Sequence, residues 1–352
     1  MEHLNITFDL VGSSLGEDIF SDQGILLLKK GTILKEVHIL LLQKYRFGTK
    51  VTVDSTTNEI VTEENELSSS KPYKSFQSYI KDTFQLFLKD KYIDLVDLRE
   101  KYFSLIEVSL SDFSIMRVLQ SEVKKEDYLY QHSINVGIFS AIIGKLLGFN
   151  KKDCLLLAEM GLWHDIGMFN IDKNILEKEG PLLDDEFQRV QKHTKMGYNL
   201  LRSFTEMEPI ISTSALLHHE RLNGSGYPRQ LNESDIPYLV QVISVADCFN
   251  AMGMKTNYGE KKSDFAGVYE LVKEAFNNRL NPAIVIPFVR YIMRQNLYEK
   301  VVLSNGDDAE VIFIHDNEPH QPLVKVQNEY IDLRKDSSLK IVSLMQKQSV
   351  LK

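Results

Sequence analysis

Seven side chains with metal-binding chemistry punctuate the middle of this 352-residue chain: His132, His164, Asp165, His193, His218, His219 and Asp247. Five of the nine histidines fall between positions 132 and 219, all at or near predicted helix ends. A lone histidine is more often a core residue than a ligand. A His-Asp pair and a His-His pair with three further donors form a far more specific set. Neighbours on a helix point about 100° apart, so His164 and Asp165 can serve two ions, the carboxylate bridging while the imidazole anchors one. Imidazole and carboxylate donors suit two divalent transition-metal ions, iron or manganese first and zinc, cobalt or nickel next. Two ions about 3.5–4 Å apart would lower the pKa of a shared water, place the resulting bridging hydroxide and stabilise in-line displacement at phosphorus. Phosphoester hydrolysis is the natural reaction of such a centre, with His164 and Asp165 as its catalytic pair.

A second feature follows the His-His pair directly, in His218-His219-Glu220-Arg221-Leu222-Asn223-Gly224-Ser225-Gly226-Tyr227-Pro228. Gly224 and Gly226 let backbone approach a ligand, Tyr227 can stack on a base or donate to a phosphate, and Pro228 stiffens the exit. Gly-Ser-Gly-Tyr-Pro alone would read as a turn. Its place after two donors makes Arg221, Gly226, Tyr227 and Pro228 candidate substrate contacts.

The elements that position these groups are mostly helices. His132 lies in an apolar helical stretch from Asp127 to Gly148. A helix from Lys151 through Gly161 leads into His164-Asp165, and further helices are predicted over Leu183–Phe204, Ile210–His219, Pro237–Met252, Asp264–Asn277 and Ala283–Asn296. Residues 72–119 carry an aromatic stripe, Phe76, Tyr79, Ile80, Phe84, Phe87 and Leu88, that reads as core; this amphipathic stretch could also supply a homodimer interface. Ahead of it, residues 1–61 read as a small α+β domain, with strands at Leu4–Phe8, Gly24–Leu28 and Lys50–Asp54 and a short helix ending at Phe47-Gly48. The acidic, serine-rich residues 62–71 read as a linker. Residues 72–300 form the helical catalytic domain. In 301–352 the periodicity changes to two over four short segments, Ala309–Ile314, Leu323–Val326, Tyr330–Leu333 and Leu339–Val342, a C-terminal β appendage. The expected fold class is therefore mainly α.

Composition narrows the partners. With 43% hydrophobic and 26% charged residues the chain is globular. A net charge of -8 argues against a nucleic-acid duplex, which needs clustered Lys and Arg; a small anion remains open if metal supplies positive charge. Two distant cysteines, Cys154 and Cys248, make no disulfide framework. The start lacks signal-peptide character and no apolar run reaches the roughly 18 residues of a membrane span, so a cytoplasmic location is expected.

Taken together, the motifs resemble the HD-GYP metal-dependent phosphodiesterases that degrade cyclic di-GMP, a subgroup of the HD phosphohydrolases. The likeness covers about Glu126 to Phe288. It rests on Gln131-His132-Ser133, His164-Asp165-Ile166-Gly167, Gln191-Lys192-His193 with Gly197, His218-His219-Glu220 with Gly226-Tyr227-Pro228, and Val245-Ala246-Asp247-Cys248-Phe249-Asn250-Ala251. The resemblance implies an all-helical HD-type domain in which the seven donors above are the metal ligands. It also implies that Tyr227 is at the dinucleotide site and that the products are linear pGpG and then GMP. Gly24–Asp54 also looks like a small domain that often precedes this one. Some members bind a third metal through a glutamate one turn before the first histidine; here that residue is Tyr128, so two metals are expected. Two departures stand out. Met168 replaces a usual lysine, and Thr256-Asn257-Tyr258 replaces a usual Arg-Pro-Tyr. Each hydrogen bond to a charged group is worth about 1.5–3 kcal/mol, so losing two cations would weaken substrate binding unless Lys255, Lys261, Lys262 or Arg221 compensates. The rival expectation is a non-catalytic receptor or scaffold for a cyclic dinucleotide; a related cyclic dinucleotide as substrate is a third.

Overall fold

The computed structural model describes residues 2–7, 10, 13–20, 26–28, 30–34, 38–39, 42, 50–54, 63–90, 92–111, 115–119, 125–178, 180–253, 263–336 and 338–345. The chain divides into two compact units, Met1–Ser68 and Ser69–Lys352. It is mainly α, as the periodicities predict, with small sheets toward both ends.

In the first unit β1 (Glu2–Asn5), β2 (Ser14–Leu15) and β5 (Lys50–Asp54) form an antiparallel sheet in the order β1-β5-β2, and β3 (Ile19–Phe20) pairs with β4 (Leu26–Leu28). Alternation along β5 places Val51 and Val53 in a small core with Ile6, Leu15, Ile39 and Leu42. Of the strand predicted at Gly24–Leu28 only the last three residues are described. Most of the helix predicted after it, with its end at Phe47-Gly48, lies outside the described residues.

Within the stretch read as a linker, residues 63–71 are helical: helix α1 spans Glu63–Asp90, and the division between the two units falls inside that stretch. After α1 come α2 (Leu95–Ser111), α3 (Ile115–Leu119), α4 (Tyr128–Leu146), α5 (Lys151–Trp163), α6 (Lys173–Leu176), α7 (Asp184–Gln191), α8 (His193–Leu201), α9 (Pro209–Leu217), α10 (Tyr238–Gly253), α11 (Asp264–Phe276) and α12 (Pro282–Gln295).

Helix α4 is the centre of the second unit. Every residue from Tyr130 to Gly144 is buried, a helix apolar enough on all sides to be enclosed. It packs on α5, α10, α2 and α12. The aromatic stripe of α1 turns inward: Phe76, Ile80, Phe84 and Phe87 are all buried. That face belongs to the chain's own core, as the stripe predicts. Its rings hold the site from behind. Phe84 stacks on Trp163 at 4.9 Å, and Trp163 immediately precedes His164.

The single helix predicted over Leu183–Phe204 is two, α7 and α8, broken at Lys192. Side chains cause the break. His193 Nδ1–H donates to Val190 O at 2.7 Å and Thr194 Oγ1–H to Gln191 O at 2.9 Å, taking carbonyls that a continuous helix would offer to its own N–H groups.

The C-terminal sheet has five strands, not four: β6 (Lys300–Leu303), β7 (Asp308–Phe313), β8 (Leu323–Val326), β9 (Glu329–Asp332) and β10 (Ile341–Leu344), antiparallel in the order β10-β6-β7-β8-β9. Its buried Val301, Leu303, Val311 and Val324 join the same core cluster as the helices. Among the described residues, no helix is long and apolar enough to cross a membrane.

Candidate metal centre

All seven predicted donors converge in one place in the second unit, most of them from the first or last turns of helices that meet there. His132 comes from α4, His164 and Asp165 from just beyond α5, His193 from the start of α8, His218 and His219 from just beyond α9, and Asp247 from α10. Six are buried, from 0% exposed at His164 and His218 to 8% at Asp165. The His219 side chain keeps 22% exposure.

The donors form two groups whose ligand atoms lie within 4.8 Å of one another, Asp165 with His193, His218 and His219, and His132 with His164 and Asp247. Asp165 reaches both. Its Oδ1 lies 3.2 Å from His193 Nε2 and 3.5 Å from His218 Nε2. Its Oδ2 lies 3.6 Å from both His132 Nε2 and His164 Nε2. Asp247 spans the groups more loosely, with Oδ1 3.2 Å from His132 Nε2 and Oδ2 3.8 Å from His219 Nδ1.

Helix termini explain how the histidines are aimed. Carbonyls in the last turn of a helix have spare accepting capacity, and ring nitrogens donate to them. His164 Nδ1 lies 2.7 Å from Gly161 O, and His218 Nδ1 lies 3.0 Å from Ser214 O. His193 Nδ1 does the same to Val190 O at 2.7 Å. A carbonyl only accepts, so each Nδ1 must carry a proton, and each ring turns its Nε2 toward the cluster. Such backbone contacts fix the tautomer of metal-binding histidines. His132 is held differently: its Nδ1 lies 2.7 Å from the Asn250 amide nitrogen, and Tyr128 stacks on its ring at 5.7 Å with a 7° interplanar angle.

Close backbone approach sets the spacing. A Cβ on Gly161 would come within 2.6 Å of Gly137 Cα, so α4 and α5 touch at a glycine pair. That contact lies one turn before His164 on one helix and follows His132 on the other.

The residues present fit metal ions. Nε2 of His132 and His164 are 3.2 Å apart, and those of His193 and His218 are 3.4 Å apart. Ring nitrogens that close need a proton or a cation between them. Asp165 Oδ1 is buried without a hydrogen-bond partner among the described residues, as a carboxylate reserved for a metal would be. Burial, the largest effect on His164, opposes its charged form. Asp165 and Asp247 together outweigh it and raise its pKa to about 9. Burial also opposes the charged carboxylates of Asp165 and Asp247, yet the surrounding histidines hold both well below the usual range. Burial depresses His218, and depresses His219 further.

A cavity of about 750 Å³ opens beside the cluster. The four predicted substrate contacts, Arg221, Gly226, Tyr227 and Pro228, line it with His219. Gly226 has an internal role as well: a Cβ there would meet Glu220 Cα at 2.4 Å and His219 O at 2.5 Å. This tight fold lets Tyr227 stack on His219 at 4.6 Å. Burial and then the charges of Asp165 and Asp247 raise the Tyr227 pKa, so its phenol stays a donor. Glu220, buried at 2% exposure, organises the loop by accepting from Arg229 N at 2.6 Å and Leu231 N at 2.9 Å.

Other lining residues, Phe187, Gln188, Lys195, Arg229, Gln230 and Arg279, were not legible as a set in the sequence. All but Arg279 share one signal, a position flanking His193 or following Tyr227. Met168 is half-buried and does not line the cavity. Lys255, Thr256, Asn257, Tyr258, Lys261 and Lys262 lie outside the described residues.

The helical core of the second unit gathers five histidines and two aspartates into paired donor groups. Residues 117–284 match the HD domain family model. The chain is 25% identical over 219 residues to a cyclic di-GMP phosphodiesterase, PdeB, of Borreliella burgdorferi, a match covering 61% of this chain and 57% of the relative. It is 36% identical over 135 residues to a 3′3′-cGAMP-specific phosphodiesterase of Vibrio cholerae, covering 38% of this chain and 31% of that protein. The matches thus span little more than half of one relative and a third of the other. A solved HDG“Y”P protein from Bdellovibrio bacteriovorus shares the fold, with a TM-score of 0.52 and 15% identity over 82% of this chain and 98% of that one.

Proposed function

We propose that this protein is a metal-dependent phosphodiesterase that opens cyclic di-GMP to linear pGpG, and in a second round yields GMP. The observation that carries the reading is the convergence of two donor groups on Asp165 beside a cavity lined by Tyr227. Two divalent ions, iron or manganese first, would be held by His193, His218, His219 and Asp165, and by His132, His164, Asp247 and Asp165. When bound, they supply the positive charge that lowers the pKa of a water and neutralises the phosphate.

The chain's own residues do the rest. Asp165, facing both histidine pairs, keeps the two groups in register. Carbonyl contacts hold His164, His193 and His218 in the tautomer that leaves Nε2 free. Tyr227, protonated at neutral pH, donates to a phosphate oxygen, and Phe187, whose ring meets Tyr227 edge-on at 6.2 Å, offers a face to a base. In the reaction the water oxygen joins phosphorus, the P–O3′ bond breaks, and the departing sugar oxygen takes a proton.

Against the receptor reading stands the intact donor set. Protein loaded with iron, manganese or zinc should release linear dinucleotide from cyclic di-GMP, and Asp165→Asn should not. No turnover with any of the three metals would overturn the proposal.

A further inference from the structure

Among the described residues the cavity carries five cations, Lys192, Lys195, Arg221, Arg229 and Arg279, and no carboxylate, in a chain of net charge -8. Two of the five are already engaged. Arg221 donates from Nη1 to the carbonyls of His218 and Glu220 at 3.2 and 2.9 Å, and Arg279 pairs with Glu274 at 3.2 Å. Lys192, Lys195 and Arg229 have no carboxylate partner among the described residues. Three unpaired cations around one concavity repel one another until an anion arrives, and in water their charges serve recognition more than stability.

Their placement says which anion. Lys192 and Lys195 are one helical turn apart and bracket His193, whose Nε2 belongs to the donor cluster. A phosphate at the metals is therefore served by the cluster itself, while the lysines face the adjoining cavity. A cyclic dinucleotide has two phosphodiesters, and only one can sit at the metals. Resting on the phosphodiesterase reading above, we propose that Lys192 and Lys195, with Arg229 from the loop after Tyr227, bind the second, unreacted phosphodiester. They would thereby select cyclic dinucleotides over diesters with one phosphate. They also supply charge in a chain where position 168 is methionine.

The test compares cyclic di-GMP with bis(p-nitrophenyl) phosphate, which has a single phosphate, on metal-loaded wild type and the Lys192→Ala, Lys195→Ala double variant. The preference for cyclic di-GMP, as the ratio of kcat/KM values, should fall about tenfold or more. The fall should appear in KM rather than kcat, and Lys192→Arg, Lys195→Arg should restore most of it. An unchanged ratio overturns the assignment, as does equal loss on both substrates. If neither substrate is hydrolysed, the phosphodiesterase reading fails and calorimetry with cyclic di-GMP decides this one. Affinity at least tenfold weaker in the alanine variant upholds it; equal affinity, or no binding by wild type, overturns it.

Discussion

Nε2 of His132 and Nε2 of His164 lie 3.2 Å apart, although they come from different helices and are separated by 31 intervening residues. His164 Nδ1 is occupied by the Gly161 carbonyl, so its Nε2 is the atom presented to His132. Asp247 Oδ1 lies 3.2 Å from the first and 3.8 Å from the second. Two imidazoles and a carboxylate meeting at one point, with little water access, form a place for a cation.

That geometry makes a proton and a metal competitors. At neutral pH the metal-free protein holds a proton on His164, whose pKa near 9 exceeds its ordinary 6.5. This proton stabilises the metal-free fold fully below pH 6.5, and the stabilisation fades as pH rises through about 9. Metal uptake between those limits should release a proton, and affinity should rise about tenfold per pH unit for one proton displaced. Titration calorimetry at pH 7.5 in buffers of different ionisation enthalpy reads this directly. Identical heats in all buffers would show that no proton leaves.

Asp165 faces both donor groups, so its loss should disturb both. Asp165→Asn keeps the shape and removes the charge. Metal content should fall from about two equivalents to one or fewer, with kcat down at least about a hundredfold, since such a charge acts directly on the reacting centre. Elemental analysis of protein purified with excess manganese checks the first part. Full metal content would place the bridge elsewhere.

The glycine contact between α4 and α5 sets the distance between their histidines. Gly161→Ala should cost about 1–3 kcal/mol by overpacking, because the opposing atom is backbone and cannot swing away. Metal affinity should fall in parallel. Urea denaturation and metal titration of the same variant test both; normal stability would mean that the helices can separate freely.

Arg99 forms a two-point pair with Glu159 on the helix that leads to His164, Nε to Oε2 at 3.0 Å and Nη2 to Oε1 at 2.9 Å, and the Glu159 side chain is 5% exposed. Burial raises the Glu159 pKa and Arg99 opposes that rise. Arg99→Ala should destabilise by about 3 kcal/mol at pH 7, at the lower end for a broken buried pair because Arg99 is 30% exposed. The unpaired carboxyl then titrates higher still, so the gap from wild type should narrow as pH falls and Glu159 protonates. Denaturation midpoints at pH 7 and pH 5 measure it, and a gap that widens at pH 5 would contradict the assignment.

Much of this site is legible in the chain because it is built from local rules. Histidines at helix ends, a His-Asp dipeptide and a His-His dipeptide before a glycine loop are patterns within a few residues, and each appears where the helix stops. What sequence does not show depends on where distant segments meet. Lys195 and Arg279 become cavity residues only when α8 and the end of α11 come together. Arg99 finds Glu159 across 59 intervening residues. Position 192 reads as mid-helix by periodicity, yet His193 and Thr194 capture the carbonyls that would carry the helix on. The short β6 lacks enough residues to display an alternation of its own, and pairing with β7 and β10 makes it a strand.

The proposed reaction is hydrolysis of a cyclic dinucleotide by water at phosphorus. The most direct measurement is anaerobic reconstitution with iron or manganese, followed by mass analysis of the product formed from cyclic di-GMP in ¹⁸O-labelled water. The expected result is linear pGpG carrying one ¹⁸O on its 5′-phosphate. Intact cyclic di-GMP after prolonged incubation with either metal, or a linear product without label, would contradict it.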